Sequence, residues 1–145
     1  MILCDINVLI YAHRRDGHTD HKQFANWLRK SVAGPTHFAL SETVLSGFVR
    51  IVTNPAIFFD PTPLEKALDF CQNLRLNPHA VILAPGHQHW TIFADLCRKI
   101  GARGKLVADA WHASLAIEHD CTWISTDGDF ARFPGLNWKH PLTHT

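Results

Sequence analysis

The sequence predicts an α/β domain built on a mainly parallel sheet with helices on both faces. Short apolar runs of strand length alternate along the chain with amphipathic helical segments, the order expected of parallel strands joined by helical crossovers. Of the 145 residues, 46% are hydrophobic, enough to bury one sizeable core in a single domain over 1–145. No internal repeat, linker or low-complexity segment interrupts the pattern.

Ile2-Leu3-Cys4 reads as a short buried strand that ends at Asp5. The apolar segment Asn7 to Ala12 reads as a short helix, and the polar residues Arg14 to Thr19 as a loop. Asp20 is placed to cap a helix through about Lys30, with Phe24, Trp27 and Leu28 on one face, and Gly34-Pro35 ends it. His37 to Leu40 is a second strand. Ser41 then caps a helix that begins at Glu42, carries Leu45, Phe48, Val49 and Val52 on its apolar side, and stops before Asn54-Pro55.

Thr62-Pro63-Leu64-Glu65 has the form of a helix start, with an N-cap, Pro at the first position and Glu at the third. Leu64, Ala67, Leu68, Cys71 and Leu74 form the inner stripe of that helix. Ala80 to Ala84 is a strand closed by Pro85-Gly86. The next helix, His87 to Ile100, is expected to turn Trp90, Phe93, Cys97 and Ile100 inward and to end at Gly101. Leu106 to His119 is another helix, Thr122 to Ser125 a strand, and Asn137 to Lys139 a weak edge strand.

Parallel sheets take their ligands outside the carboxyl ends of the strands. Asp5 and Asp127 fall at such ends, Glu42 sits just after one, and Asp109 lies near the start of a helix. Each alone reads as an ordinary turn, cap or first-turn acid. Asp109 also reads as a helix-start acid, although an acid among Leu106, Val107, Ala108, Ala110 and Trp111 needs a partner. Gathered at one sheet edge, four carboxylates repel unless a divalent cation neutralises them. The expectation is a metal-dependent hydrolase acting on phosphodiesters, with a hard cation such as Mg²⁺ on oxygen ligands.

Other chemistries are excluded or left as rivals. There is no GxxxxGK[ST] loop and no G-x-S-x-G elbow, so Ser41, Ser125 and Thr126 read as supporting hydroxyls. Cys4, Cys71, Cys97 and Cys121 form no CxxC pair and read as buried thiols. His18/His21 and His87/His89 lack further ligands at zinc spacing, and His144 reads as tail. The formal charge of +1 excludes a highly basic nucleic-acid coat. It leaves local patches around Arg14, Arg15, Lys22, Arg29 and Lys30, and around Arg98, Lys99, Arg103 and Lys105. Free thiols, no signal peptide and no apolar run of about 20 residues imply a cytoplasmic protein without a membrane anchor. A phosphatase or phosphoreceiver using Asp5 as nucleophile is the rival enzyme. The former wants an acid where Asn7 stands, and the latter wants further acids and a late Lys. A module that keeps the fold and has lost turnover is the rival non-enzyme.

Ile2-Leu3-Cys4-Asp5-Ile6-Asn7 running to Ala12, Ser41-Glu42 with the helix through Arg50 to Thr53-Asn54-Pro55, Leu106-Val107-Ala108-Asp109-Ala110 running to Glu118-His119, and Ser125-Thr126-Asp127-Gly128-Asp129-Phe130 with Arg132 to Leu136 stand in one order. In that order, over nearly the whole chain, the sequence resembles PIN-domain ribonucleases, specifically VapC-type toxins of type II toxin–antitoxin pairs. The resemblance implies a PIN-like three-layer α/β/α fold and a metal site of Asp5, Glu42, Asp109 and Asp127. Asn7 and Thr126 would support the site, and Asp129 would be an extra ligand or water holder. It implies Mg²⁺- or Mn²⁺-dependent cleavage of RNA, such as structured tRNA or rRNA loops, with Arg14, Arg15 and Arg50 as phosphate contacts. It also implies a VapB-like antitoxin that reaches the acidic site with a basic side chain, and a homodimer. The chain departs from the family at Asp120, where Gly commonly follows the Glu-His pair, and at Gly128, where a larger residue is usual.

Overall fold

The computed structural model describes residues 1–143; His144, read as tail, lies outside them. The elements run β1 (Ile2–Cys4), α1 (Ile6–His13), α2 (His21–Ala33), β2 (Phe38–Ser41), α3 (Glu42–Val52), α4 (Leu64–Arg75), β3 (Ala80–Leu83), α5 (His89–Ile100), α6 (Lys105–Glu118), β4 (Thr122–Ile124), a 3-10 turn (Gly128–Arg132) and β5 (Trp138–Lys139). The sheet order is β3-β2-β1-β4-β5, and every pairing is parallel. Side chains alternate between the faces of a strand. All four residues of β2 are nevertheless buried, as are Leu3, Cys4, Trp123 and Ile124, so helices cover both faces. This is the three-layer arrangement expected from the sequence.

The chain winds outward from β1 to β2 to β3, then returns to place β4 on the other side of β1. The reversal opens a crevice between the carboxyl ends of β1 and β4, the place where open α/β sheets bind ligands. The Asp5 amide donates to the Ile124 carbonyl at 2.8 Å, which holds the two strand ends together there.

Capping follows the sequence in most places. The Ser41 hydroxyl accepts from the Val44 amide at the start of α3. Gly101 ends α5 in the left-handed conformation at φ 60°. Asp20 precedes α2 but its side chain makes no capping bond. Thr62 does not cap α4 either; Pro63 takes that position, and the Thr62 hydroxyl, buried, meets His13 Nε2 and Arg14 Nη1, each at 3.1 Å.

Two helix faces agree with expectation in part: Phe93, Cys97 and Ile100 of α5 and Ala67, Cys71 and Leu74 of α4 pack in or against the core as expected. In α5 the buried residues are His89 and Leu96, and Trp90 is 67% exposed. The His89 ring packs edge-on against Trp111 at 4.0 Å and its Nε2 bonds the Trp111 carbonyl, and this contact with α6 sets the inward face. In α4 the buried stripe is Ala67, Cys71 and Leu74, with Leu64 and Leu68 exposed.

Candidate active site

Asp5 follows β1 directly and caps α1. Its Oδ1 accepts from the Ile6 amide at 2.7 Å and its Oδ2 from the Ser125 hydroxyl at 2.7 Å. The residue is 8% exposed, and burial raises its pKa above the usual Asp range, against the lowering effect of those two bonds. Ser125, fully buried just past β4, turns its Oγ to both sides: it donates to Asp5 and accepts from the Asp127 amide at 3.0 Å. Asp127 in turn caps the 3-10 turn, its Oδ1 accepting from the Asp129 amide at 2.9 Å.

Asp109, on the second turn of α6, is as buried as Asp5. The partner that an acid in this apolar stretch requires is Lys105, one helical turn earlier. Its Nζ lies 3.0 Å from Asp109 Oδ2 and 2.8 Å from Asp127 Oδ2. The ammonium lowers the Asp127 pKa, and the two carboxylates raise that of Lys105. His112 is three residues beyond Asp109, on the same face of α6. It lines the cleft with its ring stacked on Trp123 at 5.5 Å, and burial lowers its pKa. In the sequence Lys105 is one member of a basic run and His112 stands alone in an apolar helix. The i, i+4 and i, i+3 spacings from Asp109 are the signals that point to them.

Asp5, Asp109 and Asp127 thus share one cleft of about 450 Å³, with Asn7 and Arg50 also on its wall. Glu42 is not in it. Its side chain is 64% exposed, lies in a separate groove against α4, and pairs with Arg75 Nη2 at 3.2 Å. The reason is helical phase. Thr43, Ser46, Gly47 and Arg50 recur at the spacing of one helix face and line the cleft, whereas Glu42, Leu45 and Val49 fall on the adjacent face, toward α4.

The supporting residues are also redistributed. Among the described residues no side-chain hydrogen bond joins Asn7 or Thr126 to an acid; Ser125 takes that role. Asp129 touches Asp127 through its backbone, and its own residue is exposed. Of the three arginines, only Arg50 lies at the cleft. Arg14 is consumed structurally: it bonds Asp16 at 2.7 and 2.8 Å, Thr62 Oγ1, and the Asp60 carbonyl at 2.8 Å, and it stacks on Phe58. Arg15 faces a different, basic groove with Lys22 and Arg29.

Among the described residues, no set of three or more His, Cys, Asp or Glu side chains is gathered tightly enough to ligate one ion directly. Two carboxylates are, because Asp109 and Asp127 converge on a single ammonium. The Lys105 Nζ stands in for a cation there. A hard ion such as Mg²⁺ binds through one or two carboxylates and keeps several waters, so this donor set fits it, with Asp5 placed beside the pair in the same cleft.

Comparison with known proteins agrees with fold and motif order. The chain matches the PIN domain family over residues 2–136. It is 39% identical to Ribonuclease VapC43 of Mycobacterium tuberculosis across 98% of this chain and 96% of that protein. Identity to Ribonuclease VapC25 of the same organism is 36%, across 97% and 99%. The crystal structure of VapBC2 from Rickettsia felis, bound to a DNA fragment from their promoter, superposes with a TM-score of 0.69. Its sequence is 18% identical, and the match covers 97% of this chain and 98% of that one. With a full-length motif series, a matching fold and relatives of this similarity, the chain belongs to the PIN-domain family, in the VapC group.

Proposed function

We propose that the protein is an endoribonuclease that uses Mg²⁺, or Mn²⁺ in its place, and serves as the toxin of a type II toxin–antitoxin pair. The observation that carries the reading is the convergence of Asp109 and Asp127 on one cationic position beside Asp5, at the carboxyl edge of the sheet. Asp109 and Asp127 would hold the ion. When bound, it supplies charge neutralisation at the scissile phosphate and a water of lowered pKa.

The residues of the chain divide the remaining work. Asp5, fixed by Ser125 and the Ile6 amide and with its pKa raised by burial, accepts the proton of the attacking water. That water adds to phosphorus, the bond to the 3′ oxygen breaks, that oxygen takes a proton from solvent, and the products are a 5′-phosphate and a 3′-hydroxyl. Arg50 at the rim neutralises a neighbouring phosphate. Sequence-selective RNA recognition targets unpaired bases, which favours the loops of structured tRNA or rRNA over a duplex as substrate. Glu42 and Arg14 have no part in this scheme, because Glu42 lies in the groove against α4 and Arg14 among Asp16, Asp60 and Thr62.

The partner is a VapB-like antitoxin, and two copies of the chain pair in the assembled complex. The relatives are named VapC, and the solved neighbours include VapBC pairs. Among the described residues no helix is long and apolar enough to cross a membrane.

Purified protein incubated with total cellular RNA and Mg²⁺ should release fragments with 5′-phosphate ends, and chelator should stop it. Cleavage that survives chelator, or that persists in Asp109→Asn, would overturn the assignment.

A further inference from the structure

We propose that Lys105 is the resident counter-ion of the acidic site, an ammonium that holds Asp109 and Asp127 together when no divalent cation is bound and that cation entry displaces. This rests on the cation-dependent reading above and adds to it a residue that sets how tightly the ion is held.

The Nζ lies 2.8 Å from Asp127 Oδ2 and 3.0 Å from Asp109 Oδ2. These are the oxygens of the two carboxylates that converge, so ammonium and ion compete for the same ligands. The position of the lysine is otherwise unfavourable. Lys105 is the first residue of α6, where the helix dipole disfavours a positive charge, and it stands N-terminal to Asp109, the weaker orientation for an i, i+4 pair. Nothing in the local helix rewards a lysine there; the two carboxylates do.

Release is easy. The Lys105 side chain is 69% exposed on a flexible four-carbon stem, so swinging it into water sacrifices little packing. Asp109 cannot follow, because it is buried. The carboxylates stay and the cation changes. Exposed ion pairs are weak, so the ammonium is a modest competitor: it guards against repulsion among Asp5, Asp109 and Asp127 without closing the site.

Removing the charge should therefore act in opposite directions on the two states. Lys105→Gln leaves the acids facing one another and lowers the melting temperature in chelator. It also frees their oxygens, and Mn²⁺ should bind roughly three- to tenfold more tightly. A purely structural lysine would weaken both states. Lys105→Arg keeps the charge and should stay within about twofold of the parent. Arg103→Gln removes the same charge two residues away, from an exposed position that has no carboxylate partner among the described residues, and should also stay within about twofold.

The experiment is a Mn²⁺ titration of these four proteins, followed by electron paramagnetic resonance of the free ion, with melting curves in chelator and in millimolar Mn²⁺. Tighter binding in Lys105→Gln alone, with a lower melting temperature in chelator that Mn²⁺ recovers, supports the proposal. If the parent binds Mn²⁺ and Lys105→Gln binds it equally or more weakly, or if Arg103→Gln matches Lys105→Gln, the counter-ion role is overturned and the metal reading stands. If none of the four binds Mn²⁺, both fall.

Discussion

The Ser125 hydroxyl donates to Asp5 Oδ2 at 2.7 Å, bridging two residues that stand 120 positions apart in the chain. The same oxygen accepts from the Asp127 amide. One buried hydroxyl therefore sets the spacing of the acids at the ends of β1 and β4. Ser125→Ala takes the buried hydroxyl partner from one Asp5 carboxylate oxygen and from the Asp127 amide, and should cost about 1–3 kcal/mol in urea unfolding. It also removes a bond that lowers the Asp5 pKa, so the acid limb of the pH–rate profile should move to higher pH. An unchanged acid limb would show that Ser125 does not tune Asp5.

Asp5 and Asp127 should act on stability with opposite signs. Burial raises the folded-state pKa of Asp5 above its unfolded value. The folded state then binds more protons than the unfolded one, so this group costs stability at neutral pH and the cost fades as pH falls through its folded pKa. Lys105 depresses the pKa of Asp127. That group contributes stability above the unfolded carboxylate value and loses it as pH falls through the folded one. Asp5→Asn keeps a side-chain oxygen to cap α1. In chelator at pH 7 it should melt higher than the parent, by a margin that narrows as the solution is acidified, while RNA cleavage is lost. A lower melting temperature at pH 7 would contradict the burial argument.

Asp120 is a case where fold physics explains a departure from family habit. It follows the last turn of α6 at φ 53°, the one described non-glycine residue with positive φ. Its amide donates to the Ile117 carbonyl and that of Cys121 to the Ala116 carbonyl, which is the Schellman pattern with Asp120 at the left-handed position. Glycine is free of the side-chain penalty there. Asp120→Gly should stabilise the protein by up to about 1 kcal/mol, read from urea denaturation, with cleavage unchanged.

Much of this site was legible in the sequence because its signals are local. Asp5 and Asp127 end apolar runs of strand length, and Asp109 interrupts an apolar helix, so each marks itself. The misplaced residues depend on information a linear pattern lacks. Whether Glu42 or Thr43 faces the crevice is a matter of 100° of helix rotation, set by how α3 meets α1 and α4. His89 rather than Trp90 turns inward for the same reason, with Trp111 as the deciding contact. Arg14 reads as a free charge until the chain after α3 returns to bring Asp60 and Thr62 against it.

Glu42 supplies the sharpest contrast between motif and geometry. By motif order it is the second acid of the site; by position it is an exposed residue paired with Arg75 in another groove. An exposed ion pair of this kind contributes roughly 0–1 kcal/mol. Glu42→Gln should shift the unfolding midpoint only slightly and leave Mg²⁺-dependent RNA cleavage within about twofold, since its carboxylate lies in the groove against α4 and pairs with Arg75. Asp109→Asn removes a carboxylate from the converging pair and should lower cleavage at least about a hundredfold, the scale of losing one preorganised electrostatic group. Parallel rate measurements on the two variants at saturating Mg²⁺ decide the matter. A loss in Glu42→Gln comparable to that in Asp109→Asn would mean that the exposed Glu42 side chain leaves Arg75 and acts at the cleft.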